Sequence, residues 1–315
     1  MRIAVISFDY WGYDEKITTE LLNQGHEAIH VKLSDFTYRY KNKTEKIINF
    51  ISKTFLGKNV KKIKAEEFIL STLKSSSKFD YILVINPERI SKKTHLKIKK
   101  FSNKYIAYLY DSLKRHNAKN LLYGVFDKIY SFDKKDVKEY QLAFLPNYIH
   151  LPKNRNNTKS KRCVFSISSI DERLETYNTI AQKLSDLQIS FKFLFFDKKL
   201  NANLHPEAIF TTEKLSQDDI MKEISDSDII LDIVRENQIG LSFRIFDALA
   251  LGKKIITTNK DIKNYDFYIP QNILIIDKNN IVIDTHFFKT EYQQIPDTIY
   301  EKYTLRNWIK TIFNG

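Results

Sequence analysis

The feature that most constrains this chain is a series of short, uninterrupted apolar runs separated by amphipathic stretches. "RIAVIS" (2–7), "YILVIN" (81–86) and "DIILDIV" (228–234) are too short for core helices and rich in β-branched residues. Strands apolar on both faces belong to parallel sheets covered by helices on both sides. The stretches between them fit that reading. "KITTELLNQG" reads as a helix ended by Gly25, and "EAIHVKL" as the next strand. Residues 43–75 read as two helical pieces broken near Gly57, and Pro87 stops the strand before it. "KYIAYLYDS" (104–112), "DKIYSFD" (127–133) and "YQLAFLPN" (140–147) are further strand candidates.

The pattern then restarts. Residues 148–161, "YIHLPKNRNNTKSK", are polar, aperiodic and carry a proline, which predicts a linker. Beyond it "RCVFSIS" (162–168), "ISFKFLFF" (189–196), "EAIFTT" (207–212), "KIITTN" and "NILIID" alternate with helical patterns at 171–187, 216–227 and 241–251. The tail 297–313 reads as a final amphipathic helix. The expectation is an α/β protein of two Rossmann-like domains facing a cleft, residues 1–150 and 151–315, with a C-terminal helix.

Composition excludes several classes. A 43% hydrophobic, 13% aromatic chain is too apolar for disorder, and no run approaches the length of a membrane span. The six-residue apolar run at the N-terminus is too short for a secretory signal, and the single cysteine, Cys163, rules out an internal disulfide and any multi-cysteine metal site. A cytoplasmic location is expected, with no metal and no cofactor. Dispersed histidines carry no H-E-x-x-H pattern, and no G-x-S-x-G elbow or G-x-G-x-x-G turn occurs. The net charge of +13 favours anionic partners.

In open parallel sheets ligands sit beyond the carboxyl ends of the strands, so polar residues directly after apolar runs are the candidates. In the first half these are Asp9, Asp111 and Asp133; Asp133 reads as an ordinary helix cap. Asp111 lies close to Arg115 and His116 in the same loop, a setting for acid–base chemistry. In the second half the densest signal is "GLSFRIFDALALGKKIITTN" (240–259). Gly240, Leu241 and Ser242 precede a helix whose first amides favour an anion, Arg244 adds a phosphate-matching fork, and Asp247 shares its face one turn on. A carboxylate accepting two hydrogen bonds suits a ribose diol. A surface Arg–Asp pair is the plainer alternative, but Ile245, Phe246, Ala248 and Leu249 mark a buried helix.

That segment resembles the donor site of GT-B glycosyltransferases, in particular the CgeB-like and bacterial capsule or lipopolysaccharide group. Asp247 stands where that family has its acid, Arg244 at its arginine and Gly252 at its helix-ending glycine. "YLYDSLKRH…FDKIYSFDKKDVKEY…FLPNYI" and "RIAVISFDYW…LLNQGHEAIHV" are similar to the end and the opening of that group's N-terminal domain. The resemblance implies a metal-independent enzyme of bacterial surface polysaccharide synthesis. It would bind a nucleotide-sugar donor with its C-terminal half and a glycan or lipid-linked acceptor with its N-terminal half. Asp247 would hold the ribose, Arg244 and Arg173 with Ser169 the phosphates, and Asp111 or Asp9 would be the general base. Eight residues before Asp247, where many retaining members carry Glu, stands Ile239. Retaining and inverting chemistry both remain open.

The competing reading is a basic α/β binding protein without transferase activity. Residues 39–64 hold nine Lys or Arg against one acid, and 92–104 hold six lysines and no acid. Tyr40, Phe50, Phe55 and Phe101 lie among them, the ingredients of a nucleic-acid surface. Their helical spacing instead predicts core packing. No specific nucleic acid is therefore expected, and the lysines suit an anionic membrane surface, with the protein peripheral on the inner face. A sugar epimerase fits the same strand pattern, whereas a periplasmic binding protein would need a secretory signal.

Overall fold

The computed structural model describes residues 1–9, 11–56, 59–154, 162–213 and 215–314. Two compact units divide the chain: Met1–Leu145 with the segment from Ile309 onward, and Pro146–Trp308.

In the first unit β1 (Arg2–Ser7), α1 (Tyr13–Asn23), β2 (Glu27–Lys32), α2 (Lys43–Leu56), α3 (Val60–Lys74) and β3 (Phe79–Ile85) follow one another. Then come α4 (Lys92–Ile98), β4 (Ser102–Leu109), β5 (Lys128–Ser131), α5 (Lys134–Tyr140) and the short β6 (Ala143–Phe144). The strands form one parallel sheet in the order β2-β1-β3-β4-β5-β6. Ile3, Ala4, Val5 and Ile6 are buried without interruption, as a sheet covered on both faces requires. Gly25 stands at φ 80° just beyond α1, the left-handed turn that glycine takes at least cost.

In the second unit β7 (Arg162–Ser169), α6 (Leu174–Asp186), β8 (Phe191–Phe196), β9 (Ile209–Thr211) and α7 (Gln217–Ser225) lead to β10 (Ser227–Asp232). α8 (Phe243–Ala250), β11 (Lys254–Thr257), β12 (Ile273–Ile275), α9 (Asp297–Lys302) and α10 (Leu305–Phe313) complete it. Its parallel sheet has the order β12-β11-β10-β7-β8-β9. The first strand, β7, therefore neighbours the fourth, β10, and the winding reverses between them. That reversal is the topological switch point where such sheets bind ligands.

Two boundaries differ from expectation. The start of the predicted linker 148–161 is packed: Ile149 bridges to Thr304, Tyr148 is buried against Trp308, and Asn154 donates to the carbonyl of Ala250. Residues 155–161 lie outside the described residues. The chain changes unit after Leu145, before the expected 150, and the C-terminal helix does not stay wholly in the second unit. Phe313 packs edge-on at 5.3 Å from Tyr81, and the Tyr130 hydroxyl donates to the Thr311 carbonyl at 3.0 Å, which anchors the last turns to the first sheet. Among the described residues no helix is long and apolar enough to cross a membrane.

Candidate functional site

The switch point of the second sheet is built from the ends of β7 and β10. Ser168 and Ser169 end β7, Asp232 ends β10, and α8 begins eleven residues later. Ser242 caps α8 in extended conformation, but its hydroxyl donates to Asp232 at 2.8 Å instead of turning back onto the helix. Arg244, in the first turn, lays its Nε 3.3 Å from the same Asp232 oxygen and donates from Nη1 to the carbonyl of Ile167 on β7. One guanidinium thereby ties the helix start to both strands, and it is partly exposed.

Arg173, after the "SISS" loop, does a different job from the one expected. It is buried, with Nε and Nη2 on Asp171 at 2.8 Å, Nη2 also on the Ser168 hydroxyl at 2.7 Å and Nη1 on the Ile233 carbonyl at 3.0 Å. A fork so engaged braces the two strand ends and does not face a phosphate. Arg235, which no pattern in the sequence singles out, also meets Asp171, at 2.8 Å. Burial pushes Asp171 up, yet the hydrogen bonds and charge of Arg173 and the charge of Arg235 outweigh it and hold the carboxyl below its usual range. Three arginines thus converge on this point, answered by Asp171 and Asp232 with Glu172 at the rim.

The remaining expected donor residues divide by burial. Ser169 is exposed and Ser242 half-buried, whereas Gly240 and Leu241 lie inside the packing, the Leu241 carbonyl accepting from the Asn147 amide. Asp247 is 1% exposed and faces inward, its Oδ1 3.5 Å from Nδ1 of the equally buried His150. In this packing the carboxylate is closed off from solvent. α8 ends as the sequence predicts: Gly252 adopts φ 63°, and the Lys253 amide closes on the Ala248 carbonyl at 2.9 Å.

In the first unit the carboxyl ends of β3 and β4 assemble a second polar cluster. His116 sits between two acids, Nδ1 2.8 Å from Glu88 and Nε2 3.3 Å from Asp111. Asp111 also accepts from Arg115 at 2.7 Å. The sequence placed Asp111, Arg115 and His116 in one loop but gave no sign of Glu88, because its approach depends on β3 lying beside β4. Arg115 and His116 are thus the cationic-type partners of Asp111, and Glu88 holds the other ring nitrogen of His116.

Asp9 belongs elsewhere. It is buried at φ 34°, and its two oxygens accept the amides of Asp14 at 3.1 Å and Glu15 at 3.0 Å, so it caps α1. The expected catalytic role is corrected accordingly. Asp14 behind it is wholly buried with one oxygen lacking a hydrogen-bond partner, and burial together with the charge of Asp9 pushes its carboxyl up to about 7. A cavity of about 510 Å³ opens nearby, its lining including Phe8, Phe36, Tyr38, Lys61, Lys62 and Arg89, with the Arg89 guanidinium 4.2 Å over the Phe8 ring. Among the described residues no group of three or more His, Cys, Asp or Glu is placed to hold a metal ion.

No family model and no curated protein matches the sequence. Solved structures do. A UDP-forming trehalose-phosphate synthase from Burkholderia xenovorans is 11% identical, with 99% of this chain and 98% of that chain covered at a TM-score of 0.59. An E. coli trehalose-6-phosphate structure bound with UDP-2-fluoro glucose is 10% identical, with coverage of 100% and 98% at 0.60. A trehalose-6-phosphate synthase structure concerned with glycosyltransfer with retention is 10% identical, with the same coverage and score. The fold is GT-B. At such identity the likeness carries the two Rossmann-like domains and nothing finer.

Proposed function

We propose that this protein is a metal-independent glycosyltransferase that moves a sugar from a nucleotide-sugar donor to a glycan or lipid-linked glycan in bacterial surface polysaccharide synthesis. One observation carries the reading. Arg244 and Ser242, at the start of α8, meet the ends of β7 and β10 at the switch point of a GT-B sheet. A leaving diphosphate needs positive charge fixed before the reaction begins, and a guanidinium held by a carboxylate and a carbonyl supplies it without reorganisation. Ser169 and Arg235 flank that point and complete the diphosphate seat. The ribose displaces His150 from Asp247, which brings the expected acid into play.

The acceptor belongs to the first unit, where the cavity beside Phe8 and Arg89 offers both aromatic rings and cations. His116 takes the acceptor proton at Nε2 once the acceptor hydroxyl replaces Asp111 at that nitrogen, while Nδ1–H stays on Glu88. The resemblance to the capsule and lipopolysaccharide group supports the glycan acceptor, and the lysine runs at 39–64 and 92–104 support work at an anionic membrane face. A cytoplasmic location fits a nucleotide-sugar donor.

The test is a panel of nucleoside diphosphates and their sugars scored by thermal shift and by release of nucleotide when glycan and sugar-phosphate acceptors are added. A ligand at 100 times its Kd stabilises by ~2.7 kcal/mol. Stabilisation by at least one nucleotide is expected; a panel without any response removes the donor site.

A further inference from the structure

α2 is mounted with its polar side inward. Asn49 is buried, its amide on the Tyr40 hydroxyl at 2.8 Å and its carbonyl accepting the Val60 amide at 2.7 Å. At about 100° per residue, Ile47, Ile48, Phe50 and Ile51 share one face roughly 160° wide, and Asn49 stands opposite its centre. Those four side chains are 49–69% exposed. Helices of a globular unit place their apolar stripe on the core; this one offers it to the outside, and Ile63 on α3, 42% exposed, extends the patch. The expectation that Phe50 packs in the core is reversed here, whereas Phe101 does pack on the core of this unit.

The charges around the patch choose its cover. Lys43, Lys46 and Lys53 stand on α2 and Lys61, Lys62 and Lys64 on α3. The neighbouring acids are engaged: Glu45 with the Tyr38 hydroxyl and the Lys41 amide, Glu67 with Lys64, and Glu66 with Ser91 and Thr94. A second copy of the same face would press lysine against lysine. A layer of anionic headgroups neutralises the lysines and receives the apolar stripe beneath them.

We propose that α2 is a membrane-docking helix that lies in the plane of an anionic lipid surface, with Ile47, Ile48, Phe50 and Ile51 below the headgroups and the lysines of α2 and α3 among their phosphates. This deepens the membrane part of the proposed function and rests on it alone; donor binding is a separate property of the other unit.

The experiment is co-sedimentation of the full chain with phosphatidylcholine vesicles, with and without phosphatidylglycerol, over a salt series. The parent protein is expected to pellet with the anionic vesicles and to leave the neutral ones. The double variant Phe50→Ser/Ile51→Ser is expected to lose about tenfold in partitioning. Lys46→Glu/Lys53→Glu is expected to lose binding without a change in thermal stability, which keeps a folding defect apart from a docking defect. Nucleotide binding stays at the parent value in both. Failure of the parent to pellet with anionic vesicles, or parental pelleting by both variants, overturns the proposal. So does a self-association that Phe50→Ser/Ile51→Ser abolishes while lipid binding is absent. Loss of nucleotide binding with vesicle binding intact would instead sink the transferase reading.

Discussion

At the scale of single residues, position relative to the sheets decided what each expected group does. Asp9 and Arg173 both follow apolar strands, and both are spent on structure, one capping α1 and the other bracing β7 to β10. A strand-end polar residue was legible as such; whether its donors and acceptors were already taken was not, because those partners come from distant segments. Asp14 gives a prediction that needs no ligand. Its carboxyl titrates at about 7 in the folded chain against the ordinary 3.8. The native state therefore holds a proton that the unfolded chain releases near pH 4, and stability falls as pH rises from about 4 to about 7 and then levels. Asp14→Asn should flatten that slope and raise stability at pH 8 by a few kcal/mol, because each tenfold difference in proton affinity is worth about 1.4 kcal/mol. Chemical denaturation at pH 5 and pH 8 measures it; a variant that keeps the parental slope contradicts the assignment.

The same scale holds the proposed acid–base pair. His116→Ala should lower the transfer rate by about 10²–10⁴-fold while nucleotide affinity stays put, as general-base loss does. Asp111→Asn, which keeps the hydrogen-bonding shape, should cost less because Glu88 still orients the ring. Steady-state rates with saturating donor separate the two; equal losses would return the base role to Asp111.

At the scale of elements, local chemistry was read well where ends are set by neighbours in sequence. Gly25 and Gly252 end α1 and α8 as expected, and Ser216 begins α7 with a reciprocal hydrogen bond to Asp219. Ser216→Ala should cost about 1 kcal/mol and leave nucleotide binding untouched, since the cap serves only its own helix. A thermal melt with and without nucleotide checks both halves. The sequence was least legible where one segment docks on another. Residues 148–154 read as linker because they lack periodicity, yet Ile149 takes a bridge to Thr304 and His150 faces Asp247. The tail read as one helix, but it divides between Lys302 and Leu305, where the carbonyl of Tyr303 and the amide of Leu305 bond to Ile149. α2 read as a core helix because periodicity reports a face without saying which way it turns.

At the scale of the whole molecule, the two parallel sheets, of six strands each among the described residues, were foreseeable from the doubled run of apolar strands. The switch point was not, because strand order in space is fixed by crossovers that sequence does not number. It is that order which places Arg244 over the ends of β7 and β10. Calorimetric titration of nucleoside diphosphates into the parent protein and Arg244→Ala tests this most directly. Charge-assisted bonds to phosphate are worth about 1.5–3 kcal/mol. The account predicts saturable binding to the parent, accompanied by a change in the His150 imidazole resonances. Affinity should fall about 10–100-fold in a variant that melts like the parent. Equal affinity in both proteins, with His150 unmoved, would contradict it.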